Sequence, residues 1–313
     1  ARLTVRNPGG AALPVSAALT FTPEGGKPQS FRVAASVPAG GEAPVAIPYT
    51  LRGTGHFIAS LRVVAGGAEL LAGSTEFDVP SIYAADYGYL VSQDAAGAVW
   101  WAEGTHKISR ERPAPTARQP EVRISAARHE YEPFQVVLRP RMALEGVTAS
   151  VGDLAGPKGA RIARAHVSVR LVGYVNVQRP TDRTGVAGAW PDPLPPCDGP
   201  FDVAAGANQP LWVTVYVPEG TPPGEYRGAL RLKAGAWAQQ VPILLRVRSF
   251  TLPRETHVRT AFGLDTGGIR RYHNLETGEE LQQVTELYHR SFAAHRISPY
   301  NPTPFAPIRD RKT

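Results

Sequence analysis

The chain has 313 residues, 42% of them hydrophobic and 19% charged, a globular composition with room for two or three cores. No apolar run approaches the roughly 18–20 residues of a spanning helix, so no membrane span is expected, and a single cysteine, Cys197, excludes an internal disulfide or a cysteine metal cluster. The net charge of +7 comes from arginines scattered along the chain without a basic helix or an aromatic-interleaved basic strip, so nucleic acid is not the expected partner.

Residues 1–80 alternate. Leu3 and Val5, then Val15, Ala17, Leu19 and Phe21, then Phe31, Val33, Ala35 and Val37 occupy odd positions, and Val45, Ile47, Phe57, Leu61, Val63, Phe77 and Val79 continue the pattern. Period two in short runs separated by Gly/Pro turns predicts an antiparallel sandwich, an immunoglobulin-like module. A second sandwich is expected over 84–253, with strands at 87–92, 99–102, 122–125, 134–139, 167–177, 211–217, 226–232 and 241–247. The stretch 109–120, with Pro113, Pro115 and Pro120, has no place in a central strand and predicts an ordered crossing. Trp100 and Trp101 lie on a strand, so one of them faces inward.

The segment 180–230 is the centre of the design. Its first half, bearing Trp190, has neither strand nor helix period, and its second half alternates cleanly, which describes a binding-type loop on a rigid strand. Trp190 has two readings: its indole face suits a sugar ring, with Asp192 accepting hydroxyls, or it anchors the loop by packing. Asp182, Asp192, Asp198 and Asp202 could supply oxygen ligands to calcium, but their spacing is not that of an EF-hand, and Asp beside Pro or Gly is ordinary turn chemistry. Asn208 and Gln209 are expected to tie the loop down. No metal and no cofactor is expected, and Cys197 reads as a packing residue. Tyr226 is expected at a sandwich corner.

Over 254–313 the period changes. A strand at 257–264 precedes Thr277-Gly278-Glu279-Glu280, a capping box, followed by Leu281, Val284, Tyr288, Phe292 and His295 at helical spacing up to about Arg296. A further extended piece at 297–300 completes a βαβ unit. Asp265, after the first strand, either faces a site, as carboxylates at barrel strand ends do, or caps the turn that follows. Tyr272 and His273 share that loop.

The ordered runs VWWAEGTHKISRERP, RISAARHEYEPFQVVLRP, RPTDRTGVAGAWPDPLPP, NQPLWVTVYVPEGTPPGEYRG and HVRTAFGL resemble glycoside hydrolase family 123, over about residues 87–302. The resemblance implies a secreted or cell-surface protein with an N-terminal β-sandwich and a catalytic (β/α)8 barrel. Its implied partner is a glycan with β-linked N-acetylgalactosamine, hydrolysed with help from the substrate's own acetamido group and an adjacent Asp-Glu pair. Residues 1–80 lie outside the likeness, and no adjacent Asp-Glu occurs in the sequence, so no catalytic residue is assigned. The expected fold is therefore mainly β: two tandem β-sandwich domains, then the first βα unit or units of an incomplete (β/α)8 barrel, within a longer polypeptide. Asp265, Trp190, Asp192, Tyr272 and His273 are the candidate substrate contacts. The rival expectation is an extracellular structural, adhesive or carbohydrate-binding protein that self-associates through its β modules.

Overall fold

The structure, a computed structural model, describes residues 1–181, 185–255, 257, 258, 260–302, 304 and 305. The chain is mainly β and divides into two compact units, Ala1–Thr251 and Leu252–Thr313.

The first unit opens with a four-stranded antiparallel sheet and a two-stranded one. Strand Leu13–Pro23 pairs with Gln29–Val37 on one side and Gly55–Ala65 on the other, while Arg2–Arg6 pairs with Glu42–Ala46. The alternation is realised as burial: Val5, Val15, Ala17, Leu19, Phe21, Val37, Val45, Ile47, Phe57 and Val63 form one core. Polar residues between them face out, as a half-solvated antiparallel layer requires.

The second sandwich sets a five-stranded sheet against a seven-stranded one. Strands Gly97–Glu103, Glu130–Pro140 and Gln209–Val217 lie side by side in the first sheet. Strands Gly224–Ala234 and Trp237–Thr251 pair in the second, the latter also with Val122–Arg128 in parallel. Val99, Trp101, Phe134, Val136, Leu138, Leu211, Val213 and Val215 from one layer meet Val122, Leu230, Leu232, Val241, Ile243 and Leu245 from the other. Tyr226 is fully buried and its hydroxyl donates to the Pro222 carbonyl at 2.8 Å, the bond back to upstream backbone that pins a sandwich corner.

Three expectations need correction. First, both adjacent tryptophans are buried: Trp101 enters the main core, while Trp100 belongs to a small core with Leu90, Ala98, Ala102, Ile108 and Val137. Those partners lie on the outer face of the five-stranded sheet, where Ile108 covers them from the connection 104–120, whose later part is the Pro-rich crossing, so that part of the sheet has no wet side. Second, 167–177 is not one strand. Val167–Leu171 belongs to the five-stranded sheet and Tyr174–Val177 pairs with Gly188–Pro191 in a separate hairpin. Between them the Val172 amide donates to Pro210 O and the Gly173 amide to Pro193 O, and a Cβ at Gly173 would come within 2.8 Å of the Pro193 ring. The break is built around that close approach.

Third, within Leu252–Thr313 the expected strands at 257–264 and 297–300 reduce, among the described residues, to one parallel bridge between Phe262 and Pro299. The Phe262 amide donates to Ser298 O and the Tyr300 amide to Phe262 O. A parallel pair is stable only when neighbours extend it and cover its faces, and one rung is what forms here. The helix that starts at the capping box forms as predicted, whereas 266–272, expected as turn and loop, is a short helix. Helix α1 covers Thr266–Tyr272 and α2 covers Gly278–Ala294, and the Thr277–Glu280 box is complete, with Thr277 Oγ1 accepting from the Glu280 amide and Glu280 accepting from the Thr277 amide.

Candidate functional site

The crossing 104–120 organises the surface around Trp190. Its prolines keep it out of the ladders, and buried polar side chains hold it on the sheet. Asn208 has no exposed surface, and its Nδ2 donates to the carbonyls of Ser109 at 2.8 Å and Arg112 at 2.7 Å. The buried Arg112 places its guanidinium 3.9 Å over the Tyr87 ring and 4.7 Å over Trp100, and donates to the carbonyls of Ala85 and Tyr87. At the far end, the Leu90 amide donates to Ala117 O and the Gln119 amide to Leu90 O.

Held this way, the crossing projects Lys107 and Arg110 over aromatic rings. The Lys107 ammonium sits 5.6 Å from the Trp190 ring centre and the Arg110 guanidinium 4.1 Å from that of Tyr174, both within cation–π range. Trp190 is half-buried and its Nε1 donates to Val186 O at 2.7 Å, which fixes the plane of the indole. Tyr174 donates to Ile108 O at 2.8 Å. His106 lies flat on Tyr87 with ring centres 3.8 Å apart. Burial pushes the phenols of Tyr174 and Tyr87 up and pulls the His106 imidazole down, so at neutral pH the surface combines uncharged rings with two fixed cations. That arrangement suits binding of a flat or ring-shaped ligand.

The predicted contacts separate into two groups. Trp190 and Asp192 are close in the first unit: Asp192 follows the Trp190 strand by one residue, its amide donates to Gly173 O, and its side chain is exposed. Asp265, Tyr272 and His273 belong to the second unit and lie at opposite ends of α1, about 10 Å apart along its axis. Asp265 is the N-cap, its Oδ1 accepting from the Gly267 amide at 2.9 Å, so the capping alternative is the arrangement found. Tyr272 is 77% exposed and accepts from Arg271, and His273 shares a hydrogen bond with the Tyr288 hydroxyl. Asn208 and Gln209 hold backbone outside the loop they were expected to tie down: Asn208 the crossing, and Gln209, through Nε2, Val172 O and Pro210 O. Of the four aspartates considered for calcium, Asp182 lies outside the described residues and Asp202 accepts from the Gly146 amide; among the described residues no group of three metal-binding side chains gathers.

Sequence reasoning passed over Glu132. Its carboxyl is pushed from 4.5 to about 7, first by burial and then by the charges of Glu130 and Glu103; the Glu-x-Glu at the head of the strand was the signal. A raised carboxyl pKa means that the fold penalises the ionised form, so stability falls as pH rises from the ordinary carboxylate range through about 7. With allowance for the solvent that still reaches this half-buried group, Glu132→Gln is expected to be stabilising at pH 8, relative to pH 5, by roughly 1 kcal/mol. Urea unfolding at both pH values checks it; an equal effect at both would remove the assignment.

Residues 101–234 match the family described as Glycoside hydrolase 123 N-terminal domain. Among solved structures, a family 123 glycoside hydrolase from Clostridium perfringens, studied for glycolipid glycan hydrolysis, is similar at 15% identity with a TM-score of 0.52, over 58% of this chain and 33% of that one. The likeness is one of fold, and this chain spans about a third of that enzyme's length. AvmM, which catalyses macrocyclization in alchivemycin A biosynthesis, aligns at 13% identity and a TM-score of 0.26 over 41% of this chain and 87% of that chain. Domains 4 and 5 of the S-layer protein SbsC align at 11% and 0.17 over 73% and 97%. Neither of these two carries an argument. No curated protein matches the chain. Residues 101–234 are thus similar to the family 123 N-terminal domain, and the fold resembles the matching part of the Clostridium perfringens enzyme.

Proposed function

We propose that this chain is the front part of a secreted or cell-surface glycoside hydrolase acting on β-linked N-acetylhexosaminides of the N-acetylgalactosamine type. The match of residues 101–234 to the family 123 N-terminal domain carries the reading. In this reading Leu252–Thr313 begins a catalytic barrel, and an Asp-Glu pair further along the polypeptide orients the substrate's acetamido group. That group's oxygen attacks the anomeric carbon while the acid protonates the departing oxygen, and water then opens the cyclic intermediate with retention. The domain described here supplies a rigid β scaffold and the fixed indole of Trp190 beside it, which suits the C–H face of a sugar ring.

The test is to express the full-length gene product and assay aryl β-N-acetylgalactosaminide and β-N-acetylglucosaminide hydrolysis. Turnover of the galactosaminide in preference to the glucosaminide is expected. Absence of turnover on every hexosaminide would remove the activity.

A further inference from the structure

A second concave site lies in the first unit, on the edge of the five-stranded sheet. It is a cleft of about 510 Å³ between the strand Tyr89–Gln93, the start of Gly97–Glu103, the Pro113–Thr116 part of the crossing, and Arg139–Arg141. That volume falls within the roughly 300–1,000 Å³ of small-molecule clefts. Its lining includes the three arginines Arg118, Arg139 and Arg141 and contains no aspartate or glutamate.

Two of the three cleft arginines carry charge that no acid offsets among the described residues. Arg118 and Arg141 are exposed, and among the described residues their guanidinium groups make no hydrogen bond or ion pair. Arg139 is half-buried; its Nη1 donates to Arg110 O at 3.2 Å, and burial pulls its pKa down, with the neighbouring Glu111 opposing. Asp94, in the turn between the two strands, is engaged by the amides of Ala96 and Gly97.

The floor is also fixed. The Arg141 amide donates to Ala96 O at 2.7 Å and the Gly206 amide to Pro140 O at 2.7 Å. Gly97, at φ +153°, lets the backbone at Arg139 approach so closely that a Cβ there would fall 2.5 Å from Arg139 O. The backbone of the floor therefore needs little reorganisation to receive a ligand, and the ordering cost falls on the exposed Arg118 and Arg141 side chains. The remaining walls are mostly aliphatic, from Leu90, Pro113, Ala114, Pro115 and Pro140, with Gln93 and Thr116 adding polar edges. No aromatic ring lines the cleft, so it offers nothing on which a nucleic-acid base would stack, whereas aliphatic walls beside guanidinium forks suit a ring with C–H faces and attached oxyanions.

We propose that this cleft binds an anionic saccharide, with a carboxylate or sulfate ester held by Arg118, Arg139 and Arg141 and the ring lying against the proline wall. The proposal does not rest on the hydrolase activity, because binding is read without turnover.

Calorimetric titration of the 313-residue chain with three hexasaccharides tests it: sulfated chondroitin, hyaluronan, which carries carboxylates only, and neutral N-acetylchitohexaose. At least one acidic probe is expected to bind tenfold or more tighter than the neutral one; sulfated chondroitin alone would identify sulfate as the anion, and both together would identify either oxyanion. The Arg118→Gln/Arg141→Gln double variant, altered only at exposed positions, is expected to lose tenfold or more of that affinity with its melting temperature unchanged. The distant Arg2→Gln/Arg32→Gln variant, equal in charge, is expected to bind as the parent does. Equal binding of the neutral probe, no acidic binding, or equal loss in the distant variant would overturn the site, the last by reducing the effect to net charge. None of these outcomes depends on whether the full-length protein hydrolyses hexosaminides.

Discussion

Asn208→Ala is expected to lower the unfolding free energy by about 3 kcal/mol, because it strips two buried carbonyls of their donors at once. Asn208 has no exposed surface, and its one side-chain amide serves both Ser109 O and Arg112 O. Each carbonyl left unpaired away from water costs on the order of 1–3 kcal/mol. The Asn208 amide also donates from its backbone to Arg110 O, and the bonds of Tyr174 to Ile108 O and of the Leu90 amide to Ala117 O remain, so the crossing is expected to loosen rather than detach. Among the described residues the side-chain oxygen of Asn208 has no partner, so its donors are what tie the crossing. Asn208→Asp, which replaces those donors with an acceptor facing carbonyls, is expected to cost more than alanine. Urea unfolding followed by tryptophan emission measures the global term, and amide exchange over 104–120 the local one. A cost below 1 kcal/mol with unchanged exchange would show that the Asn208 donors are dispensable and that the packing of Ile108 on Trp100 and Val137, with the remaining backbone ties, holds the crossing.

The alternation of Val15, Ala17, Leu19 and Phe21, or of Leu211, Val213 and Val215, was legible because each strand has one face on a core and the side-chain period is two. The second burial of Trp100 was not legible, because it depends on a crossing folding back over the sheet's other face, a tertiary event with no local period. The break at Val172 and Gly173 was hidden by the same rule: alternation continues through Val175 and Val177 although the chain has left one sheet for another. At the candidate sites the limits are chemical. Asp265 reads equally as a cap or a ligand, because both uses need a short carboxylate just before a turn. Arg118, Arg139 and Arg141 converge only through the pairing of distant segments, and in the sequence they are indistinguishable from the other scattered arginines.

Gly156→Ala is expected to cost about 3 kcal/mol, the upper end for overpacking a core by one methyl. The Gly156 backbone has φ −118° and ψ −171°, a conformation open to any residue, so the cost is steric alone. A Cβ there would stand 2.3, 2.6 and 2.7 Å from Cε1, Cζ and Cδ1 of Tyr226. Neither side can yield easily. The Tyr226 ring is fully buried and pinned through its hydroxyl to Pro222 O, and the Gly156 amide is committed to Ala160 O at 2.7 Å. Shortening the ring isolates the conflict. Tyr226→Leu costs stability by itself, through the lost hydroxyl bond and a poorly filled corner, but in its presence Gly156→Ala should add much less, giving a coupling of about 2 kcal/mol in a double-mutant cycle. Additive costs in that cycle would mean that the methyl is accommodated by backbone movement near 156, and that the corner is held by something other than the seating of the tyrosine ring over a glycine.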